Sequence, residues 1–229
     1  VSDALRTLLR GRGYPPERLL TVRSGLEAAD VGAPEAPGSS HRGPLPQARP
    51  PRVGTIARLV AVKDLGLMLE VAGHLRRTHP EVQMIIVGDG PEGRRLETLA
   101  AGLGLKGTVR FAGRLADVGP VLEELDVYLV TSLFEGGVSM AVLEAMLRGL
   151  PVVTTAAGGV AEAVVDGETG YIVERTEDRD ALAAALAERV AALLDDSALR
   201  ARMGAAGARR VRARFTAERT AAEILRAYE

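Results

Sequence analysis

From Arg52 onward the sequence alternates short apolar runs with longer segments whose apolar residues recur every three or four positions. The run Val82-Gln83-Met84-Ile85-Ile86-Val87 constrains the fold most, because five of its six residues are apolar. A strand apolar on both faces must be covered on both faces, which is the situation of an inner strand in a parallel sheet. Further strands are predicted at residues 53–57, 108–112, 126–131, 151–154 and 171–173. Helices are predicted between them at 65–78, 91–103, 117–124, 139–148 and 160–165. Met68, Ala72 and Leu75 keep helical register in the first, and Ser139 and Gly149 bracket the fourth as cap and stop. Leu182, Leu186, Val190 and Leu193 form one stripe of a tail helix, with two more helices predicted at 199–211 and 216–227. Strand–helix alternation with short connections implies an α/β fold: a parallel sheet with helices on both faces. Ligands bind such sheets beyond the carboxyl ends of the strands, so the residues just after each strand carry the functional argument.

The first fifth of the chain does not share this rhythm. Leu5, Leu8 and Leu9 mark a helix over residues 2–9 that Gly11 and Gly13 can stop, Pro15-Pro16 makes a turn, and residues 19–22 are a short strand candidate. These pieces are too few for a core, so residues 1–32 read as the remnant of a preceding domain. Six of the nineteen residues 33–51 are proline, which makes that stretch a linker or a mobile loop. Residues 52–229 form the domain proper. The chain starts at Val1 rather than Met, as a fragment or a processed chain would.

Composition excludes several function classes. Lys and Arg total 29 against 30 Asp and Glu, so the surplus cations that a general nucleic-acid binder needs are lacking. With no cysteine there is no disulfide framework, thiolate metal site or Cys nucleophile, and three histidines leave little for a metal centre. No run of 18 apolar residues occurs, so no transmembrane segment is expected.

Three loops follow strands and carry chemistry. Arg58 and Lys63 follow the first strand; a guanidinium fork and an ammonium together suit the oxygens of a diphosphate, and a solvated surface pair would fit the same residues. Gly88, Gly90 and Gly93 match GxGxxG between a strand and a helix, but Arg110 and Arg114 stand about where a ribose-binding acid belongs. A tight turn into a helix opened by Pro91 explains these glycines better. In the third loop Gly136 and Gly137 allow close backbone approach, the helix from Ser139 offers its positive end, and Glu135 and Glu144 can accept hydrogen bonds from hydroxyl-rich ligands. Asp178-Arg179-Asp180 has a DxD pattern but opens a helix, where acids act as a cap, and His74 and His79 read as structural. His41 falls in the linker.

The ordered set of short motifs resembles the carboxyl-terminal, donor-binding domain of GT-B fold glycosyltransferases of the retaining family four. The matching pieces are Gly54-Thr55-Ile56-Ala57-Arg58-Leu59 with Lys63-Asp64, Ile86-Val87-Gly88-Asp89-Gly90-Pro91 and Val109-Arg110-Phe111-Ala112-Gly113. Thr131-Ser132-Leu133-Phe134-Glu135-Gly136, Leu143-Glu144-Ala145-Met146, Gly149-Leu150-Pro151-Val152-Val153, Gly158-Gly159 and Asp166-Gly167-Glu168-Thr169-Gly170 continue the series. The resemblance implies a Rossmann-like sheet that is one half of a two-domain fold. Residues 1–32 would then be the end of the amino-terminal acceptor domain.

It also implies roles. Arg58 and Lys63 would neutralise the donor diphosphate, Glu135 would touch the transferred sugar, and Glu144 the ribose. Backbone groups of Gly136, Gly137, Val138, Ser139 and Met140 would meet sugar and phosphates, with Arg114 bordering the base. Two departures stand out: eight residues separate Glu135 from Glu144 where the family has seven, and Ala57 precedes Arg58 where glycine is common. The implied activity is retaining transfer from a nucleoside-diphosphate sugar, with neither metal nor cofactor required and little turnover without the missing amino-terminal domain. The implied setting is cytoplasmic, with peripheral membrane contact through that domain. An NAD(P)-dependent oxidoreductase built on the Gly88 turn, a sugar-nucleotide epimerase of similar fold and a non-catalytic module are the competing readings.

Overall fold

The computed structural model describes residues 2–27 and 49–228. Six parallel strands form one sheet: β1 (Arg52–Ile56), β2 (Gln83–Val87), β3 (Val109–Gly113), β4 (Val127–Val130), β5 (Val152–Thr155) and β6 (Gly170–Val173). Their order is β3-β2-β1-β4-β5-β6, the doubly wound arrangement expected from strand–helix alternation. The order reverses direction between β1 and β4, the switch point at which such sheets bind ligands.

The apolar run of β2 shows why both faces must be covered. Met84 and Ile86 join one core, Ile85 and Val87 the other. β4 divides in the same way, with Val127 and Leu129 on the first side and Tyr128 and Val130 on the second. The first core is closed by α2 (Leu65–Thr78), α3 (Gly93–Gly102) and α7 (Arg179–Asp195). The second is closed by α4 (Gly119–Glu124), α5 (Met140–Leu147), α6 (Val160–Ala163) and the end of α8 (Ser197–Arg214). Burying each such Leu, Ile or Val contributes roughly 1.5–3 kcal/mol, so the alternation itself drives the two-sided covering.

Helix ends follow local chemistry. Asp178 and Asp196 cap α7 and α8 by accepting from Ala181 N (3.0 Å) and Leu199 N (2.8 Å). The cap reading of the Asp178-Arg179-Asp180 stretch therefore matches the geometry. His74 and His79 lie 2.9 Å and 3.0 Å from Asp180 and Asp195, tying α2 to both ends of α7. The helix predicted from Pro91 begins at Gly93, because residues 91–92 make the preceding turn, and the one predicted to 165 stops at Ala163, where Val164 is extended.

The front segment starts with α1 (Asp3–Gly11), whose cap Ser2 accepts from Leu5 N at 3.0 Å. The predicted strand at 19–22 does not form: that stretch has no ladder partner among the described residues, and only Leu26 makes an isolated bridge, to Thr216. Leu26 sits between Phe215 and Ala217, where α8 turns into α9 (Ala217–Tyr228). Most of the proline-rich stretch 33–51 lies outside the described residues. Among the described residues no helix is long and apolar enough to cross a membrane.

Candidate functional site

The site is built where β1 and β4 end. Their ladder stops after the pair Gly54–Tyr128. Beyond it the Tyr128 hydroxyl takes over the role of the next rung, accepting from Ile56 N at 3.0 Å and donating to Ile56 O at 3.1 Å. Burial pushes the Tyr128 phenol up to about 12, with Glu135 and Glu144 adding smaller upward contributions.

The loop after β1 is zipped onto the turn after β2. Leu59 N donates to Asp89 O (2.8 Å), and Glu92 N to Leu59 O (2.9 Å). A Cβ on Gly88 would lie 1.9 Å from Ala57 O, and one on Gly90 2.5 Å from Leu59 O, at positive φ in both cases. Close packing of two loops thus accounts for the first two glycines of the GxGxxG pattern. It fixes the start of the Arg58 loop against the sheet.

Lys63 is fixed from beneath. It ends a 3-10 turn, Ala61–Lys63, and is followed by Asp64 in the left-handed region (φ 45, ψ 46). Asp64 is held there by two arginines, with Oδ2 2.8 Å from Arg175 Nη2 and Oδ1 2.9 Å from Arg179 Nη2. Arg179 also reaches Glu70 at 2.8 Å, and its partnership with Asp64, foremost among the causes, raises its pKa further above the ordinary guanidinium value. Thr131 Oγ1 donates to Lys63 O at 3.1 Å and Leu133 N to Val62 O at 2.8 Å, joining the Lys63 loop to the one after β4.

An open pocket of about 560 Å³ results, and Arg58, Lys63, Gly88, Asp89, Arg114 and Ser139 are among the residues lining it. Arg58 is exposed, and no carboxylate pairs with it among the described residues. Ser139 precedes α5 in the cap position, but its side chain does not cap the helix as its sequence position suggests. Its carbonyl accepts from Val142 N and Leu143 N, and the residue faces the pocket instead. Gly136, Gly137 and Glu144 are half-buried, Val138 is buried and Met140 exposed; these five flank the pocket without lining it.

Glu135 is turned inward. Its side chain is 11% exposed, and Oε1 lies 2.5 Å from Lys63 Nζ and accepts from Ser132 Oγ at 2.6 Å. Gly159 N donates to Glu135 O (2.9 Å), and the Ser2 hydroxyl donates to Gly136 O (2.9 Å). A Cβ on Gly158, at φ +61, would lie 2.6 Å from Glu135 O, so this glycine lets the two loops meet.

Sequence reasoning brought Arg58, Lys63, Arg114 and Ser139 to one pocket. It missed Tyr128, Ser132, Asp64, Arg175 and Arg179. Of these, Asp64 and Ser132 lay in the quoted motifs and Arg179 in the DxD pattern, none with an assigned role, and the reach of Arg179 to Asp64 spans 115 positions of sequence.

An open parallel sheet with a cationic pocket at its switch point is the design of nucleotide-binding α/β domains. The family model for glycosyl transferases group 1 matches residues 40–210, and the chain belongs to that family. It is 33% identical over 168 residues to the lipopolysaccharide core biosynthesis glycosyltransferase LpsE of Rhizobium meliloti, covering 73% of this chain and 46% of that protein. It is 34% identical over 165 residues to the GDP-mannose-dependent alpha-(1-6)-phosphatidylinositol monomannoside mannosyltransferase of Mycolicibacterium smegmatis, covering 69% and 42%. The chain thus spans less than half the length of these relatives. Among solved structures, Anabaena HepE in complex with UDP superposes with a TM-score of 0.81 at 25% identity, over 99% of this chain and 62% of that one. The carboxyl-terminal domain of the Francisella tularensis group 1 glycosyl transferase LpcC gives a TM-score of 0.63 at 26% identity, over 74% and 89%.

Proposed function

We propose that this chain is the donor-binding half of a retaining glycosyltransferase and that the 560 Å³ pocket receives a nucleoside-diphosphate sugar. The observation that carries this reading is the convergence of Arg58 and Lys63, from one post-strand loop, on a pocket bordered by Ser139 before α5 and by Arg114 across from it. Arg58 and Lys63 take the diphosphate oxygens, and backbone groups from Gly136 to Met140 approach the phosphates and the sugar. Glu144 accepts from the ribose hydroxyls, and Arg114 borders the base. Cleavage of the glycosyl–phosphate bond builds negative charge on the leaving diphosphate. Cations anchored beforehand stabilise that charge more in the transition state than in the ground state. The Asp64 anchor beneath Lys63 supplies this preorganisation. Transfer with retention follows from the family resemblance, and a facing domain outside this chain brings the acceptor.

Calorimetric titration with UDP, GDP and ADP tests the reading. One of them binds the chain, and Arg58→Ala weakens it at least about tenfold, the scale of one charge-assisted contact to phosphate, without lowering the melting temperature. Equal affinity of wild type and Arg58→Ala for every nucleotide, or binding of NADPH in their place, would remove the donor site from this pocket.

A further inference from the structure

Lys63 stands between two claims on its charge. It lines the pocket, yet its ammonium is already engaged by Glu135 at 2.5 Å. Glu135 is itself immobilised. Ser132 Oγ donates to the same Oε1 at 2.6 Å, the Glu135 carbonyl is held by Gly159 N at 2.9 Å, and Gly158 and Gly159 press on the loop from behind. Glu135 lines a smaller pocket with Thr55, Tyr128, Ser132 and Val142, which adjoins the open pocket through Lys63 and Ser139, whereas Glu135 itself does not line the open pocket. The loop that carries it is one residue longer before Glu144 than the family spacing.

We propose that Glu135 is a positioning residue, a built-in counter-ion that occupies the Lys63 ammonium until a donor diphosphate competes for it. This rests on the donor-site reading and departs from the sugar contact that the family resemblance implies for Glu135. The argument is one of charge. A diphosphate entering the pocket finds Arg58 without a carboxylate partner among the described residues but Lys63 already neutralised, so part of the Lys63 attraction is spent displacing Glu135. After transfer the leaving diphosphate carries more negative charge than the donor did and would remain bound by both cations. A fixed carboxylate ready to retake Lys63 lowers that affinity and speeds release, a step that often limits turnover. The Ser132 bond keeps Glu135 in place while Lys63 is engaged elsewhere.

The experiment is a binding comparison on this chain. UDP, GDP and ADP, and the sugar nucleotides of whichever binds, are titrated into wild type, Glu135→Gln, Lys63→Gln and the double variant, and dissociation rates are read by stopped flow. Glutamine keeps the shape and can still accept from Ser132, so only the charge is removed. Glu135→Gln should bind the free diphosphate several-fold tighter, roughly fivefold at low salt, with a slower off-rate and an advantage that shrinks as salt rises. The gain should vanish in the Lys63→Gln background, and Glu135→Ala should show the same direction. If Glu135→Gln leaves free-diphosphate affinity unchanged and weakens only the sugar nucleotide, Glu135 is a sugar ligand and the proposal is overturned. Weaker diphosphate binding by both folded Glu135 variants overturns it as well. No binding of any nucleotide by the wild type removes the donor-site reading itself, a distinct result that takes this proposal with it.

Discussion

At the residue scale the site depends on groups that the sheet leaves exposed or buried for opposite reasons. Arg58 is useful because it is exposed and carries no carboxylate partner among the described residues. Tyr128 is useful because it is buried and doubly bonded to Ile56 where the β1–β4 ladder ends. Its phenol is pushed from 10.0 up to about 12, so the folded state favours the neutral form. A group with a raised folded pKa stabilises fully below its unfolded value and loses that contribution as pH climbs through the folded one. Denaturant titrations of wild type and Tyr128→Phe should therefore show a stability gap below about pH 10 that narrows by up to roughly 3 kcal/mol toward about pH 12. A constant gap across that window would show that the hydroxyl is not held neutral by burial.

At the element scale, loops are held by contacts made across the sheet. The Lys63 turn is anchored by arginines of the β6–α7 region, and the Glu135 loop rests on the glycine pair that precedes α6. Gly158 is the sensitive point, with φ +61 and no room for a Cβ against Glu135 O at 2.6 Å. Gly158→Ala should cost about 2 kcal/mol or more in stability and weaken diphosphate binding, because the loop it displaces runs on into the Gly136–Met140 backbone proposed to meet the phosphates. Gly167, also at positive φ but with nothing near its Cβ position, is the control. Its alanine variant should lose stability through backbone strain while keeping nucleotide affinity. Loss of affinity in both variants would argue for general softening of the fold over displacement of one loop.

At the scale of the whole molecule, the front segment and the last helices are clasped together. Arg23 contacts Asp3 of α1 (2.6 Å), Glu162 of α6 (2.9 Å) and Glu223 of α9 (3.7 Å). Ser2 meanwhile bonds to Gly136 beside the site. Arg23→Ala should release this clasp, measurable as faster proteolysis within residues 2–27 at unchanged cleavage of the sheet domain. Equal rates would mean that Leu26 and the α8–α9 junction hold the segment unaided. Because the acceptor half is proposed to lie outside the chain, incubation with sugar nucleotides and acceptors should give binding with little or no transfer. Robust turnover by this chain alone would overturn that division of labour.

The order of strands and helices, the two-sided covering of the sheet and the candidate cations could be read from the sequence. Each is written in short-range patterns: Met84 and Ile86 must face one core and Ile85 and Val87 the other, and Arg58 and Lys63 directly follow a strand. The orientation of Glu135, the anchoring of Asp64 by Arg175 and Arg179, and the tyrosine rung at Ile56 were settled only by folding. Charge pairing and backbone approach act over a few ångströms in space, and the partners lie about 70 to 115 residues apart along the chain, so no local pattern announces them.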